Sequence, residues 1–301
     1  MTRDVIALGA APGHNPAMLE SIAPQFHPIG SVRLAVRTVG RGPALIFVHG
    51  WPFHGLSWRK LVPLLAERYT CIVPDLPGAG LTQWSDATSF AMPDHARLLR
   101  ALADALGLSA YALVAHDTGA TIARLLAADD PRVRALVMAN TEIPGHRPPW
   151  IPLYRHASRL PLAASVFRLL LRSEAFRRSS LGYGGCFHDS TRLDGEFFDL
   201  YVRPQLEDPR RLDGQLRFLW GVDFGLVDAL ADVHRRIAAP VLMAWGADDR
   251  TFPLADARRM PAQFPRCTLE PIANAAFLVH EERPEAFARV SLPFLAAALP
   301  A

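Results

Sequence analysis

The chain has almost no lysine: Lys60 is the one lysine among 301 residues, and arginine carries the rest of the positive charge. With a net charge of only +3 and arginines scattered along the sequence, there is no cationic block of the kind that binds nucleic acid. Cysteine is equally scarce. Cys71, Cys186 and Cys267 are odd in number and far apart, which argues against a metal knuckle or redox motif. No cofactor or metal is implied, since the histidines lack close spacing with acids or cysteines on one predicted helix. Long apolar runs are missing too: nothing approaches the roughly 20 residues of a membrane span. The opening segment, residues 1–11, sets Arg3 beside Asp4 and stops at Pro12, too short for a secretory leader. The expectation is a cytoplasmic protein without membrane or nucleic-acid partners, of unspecified oligomeric state.

Half of the residues are hydrophobic and a fifth are charged, as in a folded globular chain. Short apolar runs bounded by turn residues alternate with helical patterns, the signature of a mostly parallel sheet with crossover helices, an α/β fold. Strands are expected at 44–48, 71–73, 111–115, 135–139 and 241–245, with 268–272 as the last and 31–39 toward an antiparallel edge. Helices are expected at 56–67, 94–106, 121–128, 254–264 and 284–298. Between 145 and 235 the alternation breaks into prolines, glycines, aromatics and short helical patterns without a strand. We read this as an inserted helical cap on a core formed by 1–144 and 236–301. The first 25 residues read as a loosely held arm.

The segment Leu113-Val114-Ala115-His116-Asp117-Thr118-Gly119-Ala120 runs from a strand straight into a helix. It has the shape of a G-x-S-x-G nucleophile elbow with aspartate in place of serine. Gly119 would give the close backbone passage that a side chain would block. A lone aspartate after a strand is more often a helix cap, but His49-Gly50-Trp51-Pro52 follows the strand 44–48, where such a fold places a second oxyanion donor. The backbone N–H groups of Trp51 and Thr118 are the expected pair.

Four segments together carry a family resemblance: His49-Gly50-Trp51-Pro52 with Ser57-Trp58-Arg59; Pro74-Asp75-Leu76-Pro77-Gly78-Ala79-Gly80; His116-Asp117-Thr118-Gly119; and Trp245-Gly246-Ala247-Asp248-Asp249. The chain resembles the epoxide hydrolase and haloalkane dehalogenase branch of the α/β-hydrolases, over most of its length outside the cap. The resemblance implies an aspartate nucleophile, Asp117, that attacks an electrophilic carbon to form an ester. A histidine held by an acid then activates the water that hydrolyses it. The family's G-x-x-D spacing selects Asp249 as that acid, with Glu142 as runner-up.

The histidine is the point of departure. In Asn274-Ala275-Ala276-Phe277-Leu278-Val279-His280-Glu281-Glu282 the family's histidine slot holds Phe277. Three readings stay open. His280, one helical turn further on, serves instead; or Phe277 marks a lost base, so that an ester forms and persists; or the protein is a non-catalytic binder. An aspartate enzyme could survive the loss in its first step, because a carboxylate is already an anion at neutral pH.

The resemblance is weaker for substrate. Thr118 and Trp51 stand where dehalogenases place a tryptophan and an asparagine, which disfavours a dedicated dehalogenase. Epoxide opening calls for an acid over the site, and Tyr154, Tyr183, Tyr201, His146, His156 and His188 are candidates. Trp150 and Trp220 are expected to line an apolar pocket, with His49 beside the oxyanion donors. The substrate implied is small, apolar and electrophilic.

Overall fold

A computed structural model describes residues 19–299. The segment 1–11, examined above for a leader, lies outside the described residues, as does most of the expected N-terminal arm. Leu19 does not fit that arm: it is fully buried in the short turn Leu19–Ser21.

One eight-stranded sheet organises the chain. Its strands are β1 (Gln25–Ile29), β2 (Val32–Gly40), β3 (Ala44–Val48), β4 (Thr70–Pro74), β5 (Tyr111–His116), β6 (Val133–Ala139), β7 (Val241–Gly246) and β8 (Cys267–Ile272). The spatial order is β1-β2-β4-β3-β5-β6-β7-β8. β1 pairs antiparallel with β2 and β2 with β4, whereas the remaining pairs are parallel. The expected strands are all present, and β2 lies toward the antiparallel edge as its alternating pattern required. β1, Gln-Phe-His-Pro-Ile, escaped the sequence reading because an edge strand buries one residue in five and carries a proline.

Central strands β3, β5 and β7 are buried along their whole length, and alternate residues feed two cores. Ile46 and Val48 point to one, Leu45 and Phe47 to the other, the period-2 geometry of a sheet covered on both faces. Helices α1 (Val62–Leu65) and α2 (Met92–Ala105) flank β4, and α3 (Thr118–Asp129) joins β5 to β6. α11 (Leu254–Ala257) precedes β8, and α12 (Val279–Glu282) and α13 (Pro284–Ala298) follow it. Each fully buried Leu or Phe, such as Phe287 and Leu295 of α13, contributes about 1.5–3 kcal/mol to holding these layers together. Two expected helices are broken. Residues 56–67 form a 3-10 turn, Gly55–Trp58, and then α1 with Pro63 in its first turn. Residues 254–264 split into α11 and the 3-10 turn Pro261–Gln263. In both, proline removes a helical donor.

Between β6 and β7 the described residues contain helices and no strand: α4 (Trp150–Ala157), α5 (Ala163–Arg172), α6 (Glu174–Arg178), α7 (Arg203–Glu207), α8 (Pro209–Trp220), α9 (Phe224–Asp228) and α10 (Leu230–Arg236). The sheet continues directly across this segment, with Leu136 opposite Val241.

The cores enclose an unusual number of imidazoles. Desolvation lowers His49 to about 4 and His95, His116 and His234 to about 3, and holds His280 well below its ordinary value. In the unfolded chain each takes a proton near pH 6.5. The stability these neutral rings allow is therefore complete above that pH and is lost as pH falls toward 4. Asp249, pushed up to about 7 by burial, acts oppositely: its contribution is present below about pH 4 and lost as pH rises through 7. Five imidazoles outweigh the buried carboxylates. Urea unfolding at pH 7 and pH 5 should show a lower midpoint at the lower pH. A flat or rising midpoint would show that the rings are not buried neutral.

Candidate active site

Asp117 ends β5 with φ 52 and ψ −136, in the left-handed region that aspartate occupies only under constraint. The constraint comes from both sides. Its N–H donates to Asn140 O at 3.0 Å and its carbonyl accepts from Ala120 N at 2.8 Å. Space is equally tight: a Cβ on Gly119 would lie 2.3 Å from His49 O, and one on Gly50 would lie 2.4 Å from the Asp117 side chain. The side chain makes no capping bond to α3, so the common role of an aspartate at a helix start is not the one it plays. It lines a cavity instead.

Trp51 N–H lies 2.9 Å from Asp117 Oδ2 and the Thr118 hydroxyl lies 3.2 Å from the same oxygen. Trp51 N–H also lies 2.9 Å from Thr118 Oγ1. The expected oxyanion donor thus already holds one carboxylate oxygen. The cavity above it, about 280 Å³, is walled mainly by apolar residues, among them Phe53, Trp150, Ile151, Phe167 and Phe277. Tyr154 and Tyr183 also reach its wall; Tyr154 OH donates to Leu181 O at 2.6 Å.

Beneath Asp117 lies a buried ionic network that the sequence motifs did not reveal. Arg124, fully buried on α3, donates to Ala120 O, Glu142 O, Thr121 Oγ1 and Thr141 Oγ1. Its guanidinium is 3.7 Å from Glu142 Oε2. Thr121 Oγ1 donates to Glu142 Oε2 at 2.7 Å, and Thr141 Oγ1 lies 2.8 Å from both Glu142 Oε2 and Asp117 O. Glu142 also reaches the cavity wall. Burial, and then the negative charge of Glu142, push the Asp117 carboxyl well above the usual carboxylate range, against the hydrogen bonds from Thr118 and Trp51.

Asp249 is buried just after β7. Asn140 Nδ2 donates to its Oδ2 at 2.7 Å and Thr251 N to its Oδ1 at 2.7 Å. Phe277 faces the cavity, packed on His116 at 4.5 Å, Phe252 at 5.9 Å and Phe53 at 6.2 Å between ring centroids.

His280 is not brought to Asp249. It lies within the core, stacked 4.1 Å from Trp58 and 4.7 Å from His116, with neither ring nitrogen hydrogen-bonded among the described residues. α12 begins only at Val279, so the turn that would have swung His280 toward Asp249 does not exist. Five other expected residues also sit elsewhere: His156 and His188 do not line the cavity, whereas His146 does. His49 is fully buried, accepting from Leu76 N at 2.9 Å. Trp220 bonds Ser158 Oγ at 2.8 Å away from the cavity wall. Tyr201 donates to Glu281 and is held near Arg59. The wall also includes residues without a motif, Cys186, Gln205 and Gln215. Gln215 Oε1 is buried with no hydrogen-bond partner among the described residues. The amphipathic pattern of α8 hinted at an inward face there, but not at what it faced.

The alpha/beta hydrolase fold family model matches residues 43–284. The chain belongs to that family. It is 32% identical to the magnesium-chelatase 30 kDa subunit of Rhodobacter capsulatus, over 84% of this chain and 87% of that protein. Over 117 residues it is 33% identical to the soluble epoxide hydrolase of Corynebacterium sp. strain C12, covering 39% of this chain and 41% of that one. The solved structure of haloalkane dehalogenase DbeA from Bradyrhizobium elkani USDA94 superposes with a TM-score of 0.76 at 26% identity, over 92% of this chain and 98% of that one. Within the family the chain stands in the epoxide hydrolase and haloalkane dehalogenase branch. No helix of the described residues is long and apolar enough to cross a membrane.

The Asp117–Glu142 relation is measurable without any substrate. In Glu142→Gln, which keeps an acceptor for the two threonine hydroxyls but removes the charge, Asp117 should titrate at lower pH than in the parent protein. Carbon-13 NMR of the labelled carboxyl reads this directly. An unchanged or higher titration point would mean that the two groups do not share a field.

Proposed function

We propose that this hydrolase-family chain uses Asp117 as a nucleophile toward carbon, with a small apolar epoxide as the preferred substrate and an alkyl halide as the second choice. The observation that carries the reading is the Asp117 carboxylate, held out of the helix-capping position and facing an apolar cavity. Its Oδ2 is engaged by Trp51 N–H and the Thr118 hydroxyl, which leaves Oδ1 to attack. The new bond is Oδ1–C. In an epoxide the ring C–O bond breaks and its electron pair stays on oxygen, which takes a proton; Tyr154 and Tyr183 are the tyrosine hydroxyls of the cavity wall. In an alkyl halide the pair leaves with the halide. The ester carbonyl is then Oδ2, already lodged against the donors that would stabilise a tetrahedral oxyanion. The helices between β6 and β7 act as the cap that excludes water and sets substrate shape.

Hydrolysis of that ester is slow in this reading. Attack by water needs a base, and the place for one is filled by Phe277, while Asp249 is satisfied by Asn140 and Thr251. His280 is set apart against Trp58 and is kept neutral by desolvation rather than paired with an acid.

Intact-mass measurement after incubation with an aryl epoxide or a bromoalkane should show a persistent single adduct that maps to Asp117 and is absent in Asp117→Ala. His280→Phe should leave adduct formation unchanged. Phe277→His, which puts an imidazole at the position where the family resemblance expects one, should speed ester hydrolysis by about 10² to 10⁴. Rapid diol release by the parent protein without adduct would overturn the stalled second step, and neither adduct nor product would remove the nucleophile.

A further inference from the structure

The segment between β6 and β7 turns an apolar, cationic face outward. Of the exposed large hydrophobic side chains among the described residues, all but Phe26 and Leu81 lie between Leu153 and Leu181. Leu162 is 78% exposed, Leu169 68%, and Leu160 and Val166 54% each. Isolated surface leucines need no explanation, but a cluster of this kind marks a contact surface. α5 is apolar on two sides: Phe167 and Leu171 wall the cavity while Val166 and Leu169 meet solvent. Leu162, just before α5, has φ 66, so the backbone holds a leucine in the left-handed region with its side chain outside the core.

Charge gathers on the same helices. Residues 147–178 contain seven arginines and one acidic residue, Glu174. Ion pairs use Arg147 and Arg178, whereas Arg159, Arg168 and Arg172 meet no carboxylate among the described residues. Most arginines are spread over the rest of the chain, but these seven share a segment with only one acidic residue. A second copy is a poor occupant of this face, because a two-fold contact would set unpaired arginines against unpaired arginines. An apolar helix face with free arginines around it matches the headgroup and acyl boundary of an anionic bilayer, which accepts both parts at once.

We propose that residues 153–181 dock the protein peripherally on anionic lipid, with α4 and α5 lying in the interface so that an apolar substrate reaches the cavity from the membrane side. This departs from the expectation of no membrane partner, and it requires no membrane-spanning helix. It stands independently of the Asp117 chemistry.

Cosedimentation of the full chain with vesicles tests it, using phosphatidylcholine alone and phosphatidylcholine with phosphatidylglycerol. Binding is expected to the mixed vesicles only and to weaken in high salt. Arg159→Gln with Arg172→Gln should weaken it by about fivefold for each arginine removed. Leu162→Ser with Leu169→Ser should abolish it, with helical circular dichroism unchanged, and Leu81→Ser should leave it intact. No binding to either vesicle, equal binding to both, or binding indifferent to the leucine pair would overturn the proposal. So would a dimer in light scattering that those leucine substitutions dissociate, which would assign the face to a second copy.

Discussion

A carboxylate confined at a left-handed strand-to-helix corner is the constraint on which the rest of this site depends. Two hydrogen bonds to a charged acceptor contribute about 1.5–3 kcal/mol each. Removing a carboxylate from water costs several kcal/mol, and Glu142 adds repulsion. Burial and Glu142 thus push the Asp117 carboxyl upward, and the bonds from Trp51 and Thr118 oppose that shift. Gly50 and Gly119 follow from the same constraint, since any side chain there would occupy the space of Asp117 or of the β3 backbone.

The buried Arg124 network is the counterpart to that corner. A guanidinium without solvent is tolerable only when its donors are used, and Arg124 reaches two carbonyls, two threonine hydroxyls and the Glu142 carboxylate. Thr141 lies within reach of both Glu142 and the Asp117 carbonyl. α3, the residues after β6 and Asp117 are thereby held as one unit. Removing either charged member would leave the other buried and uncompensated, at a cost larger than the pair itself contributes.

Asp249 and Phe277 are each accommodated without a histidine. Asn140 and Thr251 satisfy the Asp249 carboxylate. Phe277 closes an aromatic group with His116, Phe252 and Phe53. The Asp249 carboxylate is bonded and the Phe277 ring is packed, while His116 Nδ1 beside it has no hydrogen-bond partner among the described residues.

What the sequence determined by itself was whatever is local: the parallel strands from their apolar runs, the elbow from Ala115-His116-Asp117-Thr118-Gly119, and the helical character of 145–235 from its missing strands. β1 was not legible because it buries one residue in five, whereas the breaks in the two expected helices were open to reading, since Pro63 and Pro261 stand in the sequence. The position of His280 was decided only in three dimensions. One helical turn of sequence separation is compatible with facing Asp249 or facing Trp58, and the late start of α12 selects the second. That Glu142 lies beneath Asp117, and that leucines between 153 and 181 stay exposed, is likewise decided by tertiary packing, since charge and burial act through space and not along the chain.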